Sequence, residues 1–357
     1  MEVIQKRVIR NGISYKKMIF VFSLLIIFLM NRPVYKFQNW INENDLNSHN
    51  TTSFLSLNPL AIDYLSQNLD KINWISLSNN KNASNLFHLF PENLDWYYLS
   101  SNPSAIPILK KFKNKIYWNQ LSLNPEAIEL ISENSKLIDW NYLSKNPNAY
   151  DLISRNIDKI DWISLCQNPN DKIIQILNRH PNKIDWKSLS SNSSNEAIKI
   201  LKSNLNKIDW NVLSYNTGAI KILANNPNKI NWDELSLNTN DNAIKILENY
   251  PDKINWRSLS RNPSNRAIEL LKRNPEKISL SSLMFNENAY DLIEKFYDKF
   301  EFREVLFRNP VIFKMDYEKM RKNFEDFEED LLKVVLHPNK VIRNLELYGY
   351  DLDDMFD

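Results

Sequence analysis

Residues able to do covalent or metal chemistry are few in this chain and lie far apart. The sequence has one cysteine, Cys166, and four histidines, of which His180 and His337 fall in predicted turns. No His-Glu-x-x-His or Cys-x-x-Cys spacing occurs, so these residues predict no metal site. Cys166 takes a place that equivalent segments fill with serine, which favours a packed small side chain over a nucleophile. We therefore predict a protein that is not an enzyme and that has no metal and no cofactor.

Composition argues against nucleotide-binding folds and against a general affinity for nucleic acid. Only three of the 357 residues are glycine, whereas phosphate-binding loops and dinucleotide-binding turns depend on glycine. The chain has 45 basic and 43 acidic residues and a formal net charge of +2, so it lacks the positive field of a nucleic-acid-binding protein. The single cysteine excludes an internal disulfide.

Tryptophan, in contrast, recurs at fixed intervals. Nine of the ten tryptophans are spaced by 22 or 24 residues, and the phrase around them is Lys-Ile-Asp-Trp-x-x-Leu-Ser-x-Asn-Pro-x-Ala-Ile-x-Leu-Leu. A period of this length is typical of stacked repeat proteins. The regular tryptophans are Trp74, Trp96, Trp118, Trp140, Trp162, Trp186, Trp210, Trp232 and Trp256.

Each repeat contains signals for two helices. Asp or Asn precedes most of these tryptophans and is a good N-cap for a short helix. A second Asn, often followed by Pro, predicts the start of another helix, whose apolar residues three and four apart share one face. The sequence therefore predicts an elongated, all-α, right-handed solenoid over residues 51–312. We expect about twelve two-helix repeats, each a short or 3₁₀ helix plus an α-helix.

Small residues and the tryptophans predict how the units stack. Serine recurs four residues after tryptophan and alanine about nine after it, which favours close packing between units. We expect the tryptophans to be buried, so that loss of one costs about 3–5 kcal/mol. Four units carry two extra residues between the Asn and the Ala, which predicts an enlarged surface turn. Units with Thr52, Leu280 or Phe302 in the tryptophan position are the expected atypical ends.

The N-terminal region predicts contact with a membrane. Residues 1–17 are basic, and residues 18–30 are an apolar run that is shorter than the roughly 20 residues of a spanning helix. We interpret this run as a short uncleaved signal-anchor with a cytoplasmic N-terminus. A cleaved signal peptide, or an apolar helix that caps the solenoid of a cytoplasmic protein, is the alternative. Residues 31–50 are predicted to be a polar linker and residues 313–357 a helical C-terminal cap.

Three triplets have the sequence of glycosylation acceptors, at Asn50, Asn82 and Asn192. They would be used only if the repeats are translocated across a membrane. A chain rich in asparagine also produces such triplets by chance.

Two columns of side chains could bind a partner. Lysine recurs three residues before tryptophan, either as a basic track for an acidic polymer or, as we favour, as compensation for helix-end and aspartate charge. The outward position of the second helix changes sign from unit to unit, which is more typical of an individual binding surface. The predicted partner-binding residues are Lys199, Lys221, Lys245, Glu129, Asp151 and Tyr215. The recurring lysines are Lys71, Lys115, Lys159, Lys183, Lys207, Lys229, Lys253, Lys277 and Lys299.

The repeat resembles the Trp/Asn-Pro helical repeat proteins that giant DNA viruses encode in many copies. The likeness covers residues 51–357 and includes the ending His337-Pro-Asn-Lys-Val followed by Leu347-Tyr-Gly-Tyr-Asp351. It implies a helical solenoid and implies no activity or site residue. A weaker likeness is to leucine-rich variant repeats, which alternate an α-helix with a 3₁₀ helix.

The function predicted from the sequence is a repeat scaffold for protein-protein interaction, anchored to a membrane through residues 18–30, with an unknown protein partner. A nucleic-acid-binding solenoid and a structural component of a viral particle or assembly are the alternatives. Readers of one base per repeat need planar or bidentate side chains at one repeat position. The candidate positions instead mix Asn, Ser, Lys and Leu, so the sequence favours the protein scaffold over nucleic acid binding.

Overall fold

A computed structural model of the protein describes residues 33–47, 49–323 and 325. The chain falls into two compact units, one formed by residues 1–37 and 314–357 and the other by residues 38–313. The predicted basic segment and the predicted signal-anchor lie outside the described residues, as does most of the predicted C-terminal cap. Within the described part of the chain, no helix is both long enough and apolar enough to cross a membrane.

The smaller unit contains part of a short two-stranded sheet. Its strands are β1, Tyr35–Phe37, and β2, Phe313–Met315. The Lys36 ammonium lies 3.0 Å from the Asp316 carboxylate and reaches across from one strand to the end of the other. Residues 317–323 are helical.

The segment predicted as a polar linker, residues 31–50, is structured where it is described. It contains β1 and a 3₁₀ helix at Glu43–Asn47. Between these two elements, Trp40 packs its ring against Tyr290 and Tyr297, with centroid distances of 6.2 and 5.0 Å. The linker prediction missed this contact because Trp40 stands outside the repeat register and carries no periodic signal.

The larger unit consists of twelve repeats, each with a first helix that begins near the tryptophan position. The predicted solenoid of about twelve two-helix repeats is confirmed. Most first helices are short α-helices, and the last is a 3₁₀ helix. They span His49–Leu57, Trp74–Ser78, Trp96–Ser101, Trp118–Leu123, Trp140–Lys145, Trp162–Cys166, Trp186–Ser190, Trp210–Tyr215, Trp232–Leu237, Trp256–Arg261, Leu280–Leu283 and Arg303–Arg308.

Second helices follow after a tight turn, and a 3₁₀ turn usually leads from each to the next unit, as at Lys113–Lys115. The last unit has only the 3₁₀ turn Pro310–Ile312 in this place. The other second helices span Ile62–Gln67, Ser84–Leu89, Ile106–Lys111, Ile128–Glu133, Tyr150–Ser154, Asp171–Ile174, Asn195–Lys202, Ile220–Ala224, Asp241–Glu248, Asn265–Arg273 and Tyr290–Phe296.

The predicted caps of the first helices are confirmed. The Asp139 carboxylate accepts the backbone N–H groups of Asn141 and Tyr142, at 3.1 and 3.2 Å. Tyr117, the one exception in the sequence pattern, makes no side-chain cap. The capping residues are Asn73, Asp95, Asp139, Asp161, Asp185, Asp209, Asn231 and Asn255.

The four enlarged units use their extra residues to add a capping side chain. Ser194, two residues after Asn192, accepts the N–H of Ala197 and caps the helix Asn195–Lys202. The prediction that the recurring asparagine itself caps the second helix is therefore wrong for these units. The residues that cap it instead are Asn170, Ser194, Asn240 and Ser264.

The recurring asparagine joins each unit to the one before it. The Asn124 amide nitrogen donates to the carbonyls of Ser100 and Asn102, at 3.1 and 2.9 Å, and its oxygen accepts the N–H of Glu126 at 3.1 Å. We call this arrangement the asparagine clamp. Its polar atoms are all satisfied, as the burial of Asn124 requires. The clamp recurs, with a single carbonyl bond at Asn238, at Asn58, Asn80, Asn102, Asn124, Asn146, Asn168, Asn192, Asn216, Asn238, Asn262, Asn286 and Asn309.

The recurring serine is also a hydrogen-bonding residue and not only a small one. The Ser122 hydroxyl donates to the carbonyl of Trp118 at 2.8 Å and accepts the N–H of Asp139 in the next unit at 3.1 Å. This serine bridge therefore fixes the entry of each unit onto the helix before it. It recurs at Ser78, Ser100, Ser144, Ser190, Ser214, Ser236 and Ser260.

The first unit is joined to the last by the same clamp. The Asn58 amide donates to the carbonyls of Phe307 and Asn309, each 3.0 Å away. The helix His49–Leu57 also packs along Arg303–Arg308 of the last unit. Residues 38–313 therefore form a closed ring, and the expectation of an elongated array is wrong. The ring closes because a constant rotation at each junction between units adds up to a full turn over twelve units. The period of the sequence does not predict that rotation angle.

The first helices line the inside of this ring. They approach one another more closely than the second helices do, and short side chains connect them, as in the 2.8 Å bond from Ser164 to Asn141. Long side chains such as Lys110 and Glu129 connect the second helices. Because the first helices lie closer together than the second helices, their layer of the ring has the shorter circumference and is therefore the inner layer. Twelve helices about 8–10 Å apart leave a central opening of roughly 20 Å.

The tryptophans are less buried than expected. All nine are partly exposed, whereas the leucine three residues further on is fully buried in each of these units. Among the described residues, seven of the nine indoles contact an aromatic ring or a lysine ammonium of their own unit. Phe112 lies 5.4 Å from Trp96, and the Lys115 ammonium lies 5.0 Å above the same ring. Loss of one tryptophan should therefore cost nearer 2–3 kcal/mol than the full burial value.

Candidate interaction surface

Two positions of each first helix form the exposed surface inside the ring, which we call the inner face. One position follows the tryptophan slot and the other precedes the clamp asparagine; they lie four residues apart on one side of the helix. The first position is occupied by Ser53, Ile75, Tyr97, Asn119, Asn141, Ile163, Lys187, Asn211, Asp233, Arg257, Ser281 and Glu304. The second is occupied by Leu57, Asn79, Ser101, Leu123, Lys145, Gln167, Ser191, Tyr215, Leu237, Arg261, Phe285 and Arg308.

The inner face exposes apolar side chains that the core does not use. Ile75 is 57 %, Ile163 56 % and Tyr215 54 % exposed. Phe285 is also exposed, and the Arg261 guanidinium lies 5.0 Å from its ring centroid. Aliphatic and aromatic groups this exposed favour a surface that a partner covers.

A tyrosine cluster adjoins the inner face. Tyr97 makes edge-to-face contacts with Tyr98 and Tyr117, with centroids 5.4 and 5.6 Å apart. The Gln120 amide donates to the Tyr97 hydroxyl oxygen at 2.8 Å and holds that ring in place. All three rings remain exposed, so the cluster offers flat apolar area that is already ordered before any partner binds.

The inner face is also rich in cations. Its cations are Lys145, Lys187, Arg257, Arg261 and Arg308, and its carboxylates are Asp233 and Glu304. Within the described part of the chain, none of these five cations takes part in an ion pair. Sequence reasoning missed them because they alternate between two positions and so form no ladder. The available signal was the scarcity of acidic residues at both positions.

The predicted partner-binding residues do not form one surface. Tyr215 lies on the inner face, whereas the outward positions of the second helices hold Glu129, Asp151, Lys199, Lys221 and Lys245; we call that surface the outer face. It faces away from the ring interior, so a single partner segment does not reach both.

Ion pairs occupy part of the outer face. The Lys199 ammonium lies 2.6 Å from the Glu196 carboxylate, and this hydrogen bond raises the pKa of Lys199. Glu129 bonds to Lys110 of the preceding unit, which lowers the pKa of Glu129. Lys221 and Lys245 are exposed and, among the described residues, have no ion-pair partner. Of the three lysines predicted to bind a partner on the outer face, Lys221 and Lys245 therefore remain unpaired among the described residues.

The lysine ladder has a structural role at several units. The ammonium groups of Lys115, Lys159, Lys207 and Lys229 lie 5.0, 5.4, 4.8 and 4.9 Å from tryptophan ring centroids. A cation over an indole face is a favourable contact. Neither sequence interpretation foresaw it, since helix-end compensation and a basic track both leave the aromatic ring out. These contacts turn the lysines toward the protein itself.

Cys166 and His180 are both held inside the repeat. Cys166 is fully buried in the serine position, and burial raises the pKa of its thiol to about 11. A buried thiol of that pKa has almost no thiolate at neutral pH. His180 stacks on Trp162 with centroids 4.9 Å apart, where other units place Phe or Tyr. Among the described residues, no group of three His, Cys, Asp or Glu side chains is placed to hold a metal.

One of the three possible glycosylation triplets is incompatible with the fold. Asn192 is a clamp residue whose amide nitrogen donates to the carbonyls of Cys166 and Asn168, at 2.8 and 2.7 Å. A glycan on that nitrogen would remove both bonds from a buried site. Asn50 and Asn82 are exposed.

The ring therefore offers an inner face of cations, amides and apolar groups, and an outer face of mixed charge. Both are built from positions that change from unit to unit on a constant buried frame. Comparison of the chain with protein family models, with curated proteins and with solved structures gave no match.

Proposed function

We propose that the protein is a non-enzymatic scaffold that binds protein partners through the exposed faces of its repeat ring. In this proposal residues 18–30 tether the ring to a membrane. The scaffold holds its partner in place and performs no chemistry on it.

The contrast between frame and surface supports this proposal. Clamp asparagines and bridge serines recur in nearly every unit, and no buried side-chain polar atom of the described residues lacks a partner. The exposed positions vary in size, polarity and charge between units, as at Ile75, Tyr97 and Lys187. A constant frame with an individual surface is the usual design of repeat proteins that recognise other proteins.

A photo-crosslinking experiment tests the scaffold function. A benzoyl-phenylalanine placed at Tyr215 samples the inner face, and one placed at Lys221 samples the outer face. We expect irradiation in cells to give a discrete protein adduct from at least one of these positions. Asp252 is the matched control position, because it is exposed in a 3₁₀ turn and belongs to neither the inner face nor the outer face. Adducts of equal pattern from all three positions, or none from any, would contradict the proposal.

The membrane tether requires a separate test. Full-length protein and a version that starts at Pro33 should be compared for retention on membranes after alkaline extraction. We expect retention of the full chain only. A full chain that is extracted as readily as the shorter version would remove the tether from the proposal and leave the scaffold unaffected.

A further inference from the structure

Polar groups on the inner face are mostly donors. The side-chain oxygens of Asn119, Asn141 and Asn211 already accept bonds at 2.8, 2.8 and 3.2 Å from the residues Gln120, Ser164 and Asn231. Their amide nitrogens have no partner among the described residues. The inner face thus presents free amide N–H groups, because the oxygens of the same side-chain amides are already hydrogen-bonded.

Two acceptors of the same surface are engaged as well. An oxygen of Asp233 accepts the Asn255 amide at 2.7 Å, and the Tyr97 oxygen accepts from Gln120. The unpaired cations and free amide N–H groups of this surface therefore favour a ligand that brings acceptors and negative charge of its own. Carboxylates and backbone carbonyls both meet that requirement.

Charge separates the inner face from the rest of the molecule. Five unpaired cations stand beside two carboxylates there, although the whole chain has nearly equal numbers of basic and acidic residues. The ion pairs of the repeats lie mainly on the second helices, as between Lys272 and Asp291 at 2.9 Å. Unpaired cations around one opening focus a positive potential into it.

The exposed apolar side chains distinguish between two kinds of negatively charged chain that could bind here, an acidic polypeptide and a single-stranded nucleic acid. Ile75 and Ile163 stand exposed on the inner face, as Leu57, Leu123 and Leu237 partly do. Aliphatic side chains gain by covering other aliphatic side chains, whereas single-stranded nucleic acids are bound by aromatic platforms and a continuous basic groove. Five cations spread around twelve units are also sparse for a phosphate chain.

We propose that the inner face binds an acidic polypeptide segment with interspersed apolar side chains, which passes into the ring. The opening of roughly 20 Å admits one extended chain or one helix of about 10–12 Å diameter. Carboxylates pair with the inner-face cations, backbone carbonyls accept from the free asparagine amides, and apolar side chains cover the isoleucines and the tyrosine cluster. This inference deepens the scaffold function proposed above and depends on it.

Fluorescence anisotropy with defined probes tests the inference on the full-length protein. The probes are fluorescein-labelled (Glu-Leu-Glu-Tyr)₅, the matched (Lys-Leu-Lys-Tyr)₅ and a 20-nucleotide uridine oligomer. We expect the acidic peptide to bind at least about tenfold more tightly than either of the other two. Equal or tighter binding of the basic peptide or of the oligonucleotide would overturn the inference, as would no binding of the acidic peptide.

Three variants locate the binding. The inner-face variant Lys145→Glu, Lys187→Glu and Arg257→Glu should weaken the acidic peptide by at least about tenfold, because exposed cations are reversed without a change in the core. The apolar variant Ile75→Ser and Ile163→Ser should weaken it by about threefold or more. The outer-face variant Lys199→Glu, Lys221→Glu and Lys245→Glu is the matched control and should bind as the unchanged protein does. All substituted residues are exposed, and equal circular dichroism melts would confirm equal folding.

Failure of this inference and failure of the scaffold function give different results. If only the outer-face variant loses the peptide, or if crosslinks form at Lys221 and not at Tyr215, the scaffold function stands and the inner-face inference is wrong. If neither position forms crosslinks and the acidic peptide does not bind, both are wrong.

Discussion

The internal junctions of the ring and its closing junction use the same clamp but differ in everything around it. At an internal junction, Asn124 bonds the unit before it and Ser122 bonds the unit after it. At the closing junction Asn58 keeps the clamp, but Phe307 stands two residues before Asn309, where most units have serine, and it has no hydroxyl to form the bridge. The chain is also not covalently continuous there. Closure must therefore draw on other contacts.

Residues 40–47 supply these contacts. Trp40 packs on Tyr297, whose hydroxyl donates to the Asp45 carboxylate at 2.8 Å and accepts the N–H of Asn42 at 3.3 Å. Arg303 lies 5.0 Å above the Tyr297 ring. Most internal junctions thus combine the clamp with the serine bridge, whereas the closing junction combines the clamp with one aromatic cluster. A repeat array gains its unit-to-unit stability from identical interfaces, but closing it needs a specific seal.

The clamp gives the largest expected effect and separates the two kinds of junction. Asn124→Ala removes two donors and one acceptor from buried carbonyl and N–H partners, so the free energy of unfolding in urea should fall by about 3–5 kcal/mol. The radius of gyration in solution scattering should stay unchanged, because the chain still connects the two units. Asn114→Ala, at an exposed residue of the preceding turn, is the control and should cost under about 0.5 kcal/mol.

The same change at the closing junction should act on shape more than on stability. Asn58→Ala removes one donor from each of the carbonyls of Phe307 and Asn309, but these can reach water if the ring opens. We expect a smaller loss of about 1–3 kcal/mol and a measurable increase in the radius of gyration. Equal scattering curves for Asn58→Ala and Asn124→Ala would show that the closing junction is as fixed as the internal ones.

The serine bridge should give an intermediate effect that only internal junctions can show. Ser122→Ala leaves the Trp118 carbonyl and the Asp139 N–H without their side-chain partner, at a cost of about 1–2 kcal/mol in urea unfolding. Cys166→Ser places the bridge hydroxyl in the one interior unit that has cysteine instead. We expect that substitution to be neutral or to stabilise the ring by up to about 1 kcal/mol. Destabilisation by Cys166→Ser beyond that of Ser122→Ala would mean that the bridge contributes little.

Much of the repeat itself could be predicted from the sequence, because its signals are local. Asp139 and Trp140 predict a capped helix within a few residues, and the 22–24-residue spacing predicts the stacking of units. The clamp was predicted only in part: Asn124 carries a capping signal, but its bonds to Ser100 and Asn102 depend on how neighbouring units dock. The exposure of the tryptophans likewise depends on docking.

Closure and the inner face could not be predicted, for different reasons. The bond from Asn58 to Phe307 joins residues 249 positions apart, and it exists only because of the angle between units, which no residue pattern expresses. The inner-face cations Lys145 and Lys187 occupy two different repeat positions. They become one surface only when both positions are known to face the same opening.

The smallest expected effect concerns the pH dependence of closure. Burial raises the pKa of Tyr297 from 10.0 to about 12, and the bond to Asp45 acts in the same direction. A tyrosine with a higher pKa in the closed ring than in the open chain stabilises closure fully below pH 10, and that contribution is lost as the pH rises toward 12. We expect the radius of gyration to increase over this range. Tyr297→Phe keeps the ring contact with Trp40 but cannot ionise, so its transition should be shallower.

The comparison of the unchanged protein with Tyr297→Phe isolates the Tyr297 hydroxyl, because every other ionisable group is the same in both proteins. Tyr215→Phe, at an exposed tyrosine of the inner face, should follow the unchanged protein. If Tyr297→Phe opens along the same pH curve as the unchanged ring, the seal does not depend on the Tyr297 hydroxyl, and closure must then be attributed to the packing of Trp40 and the Asn58 clamp alone.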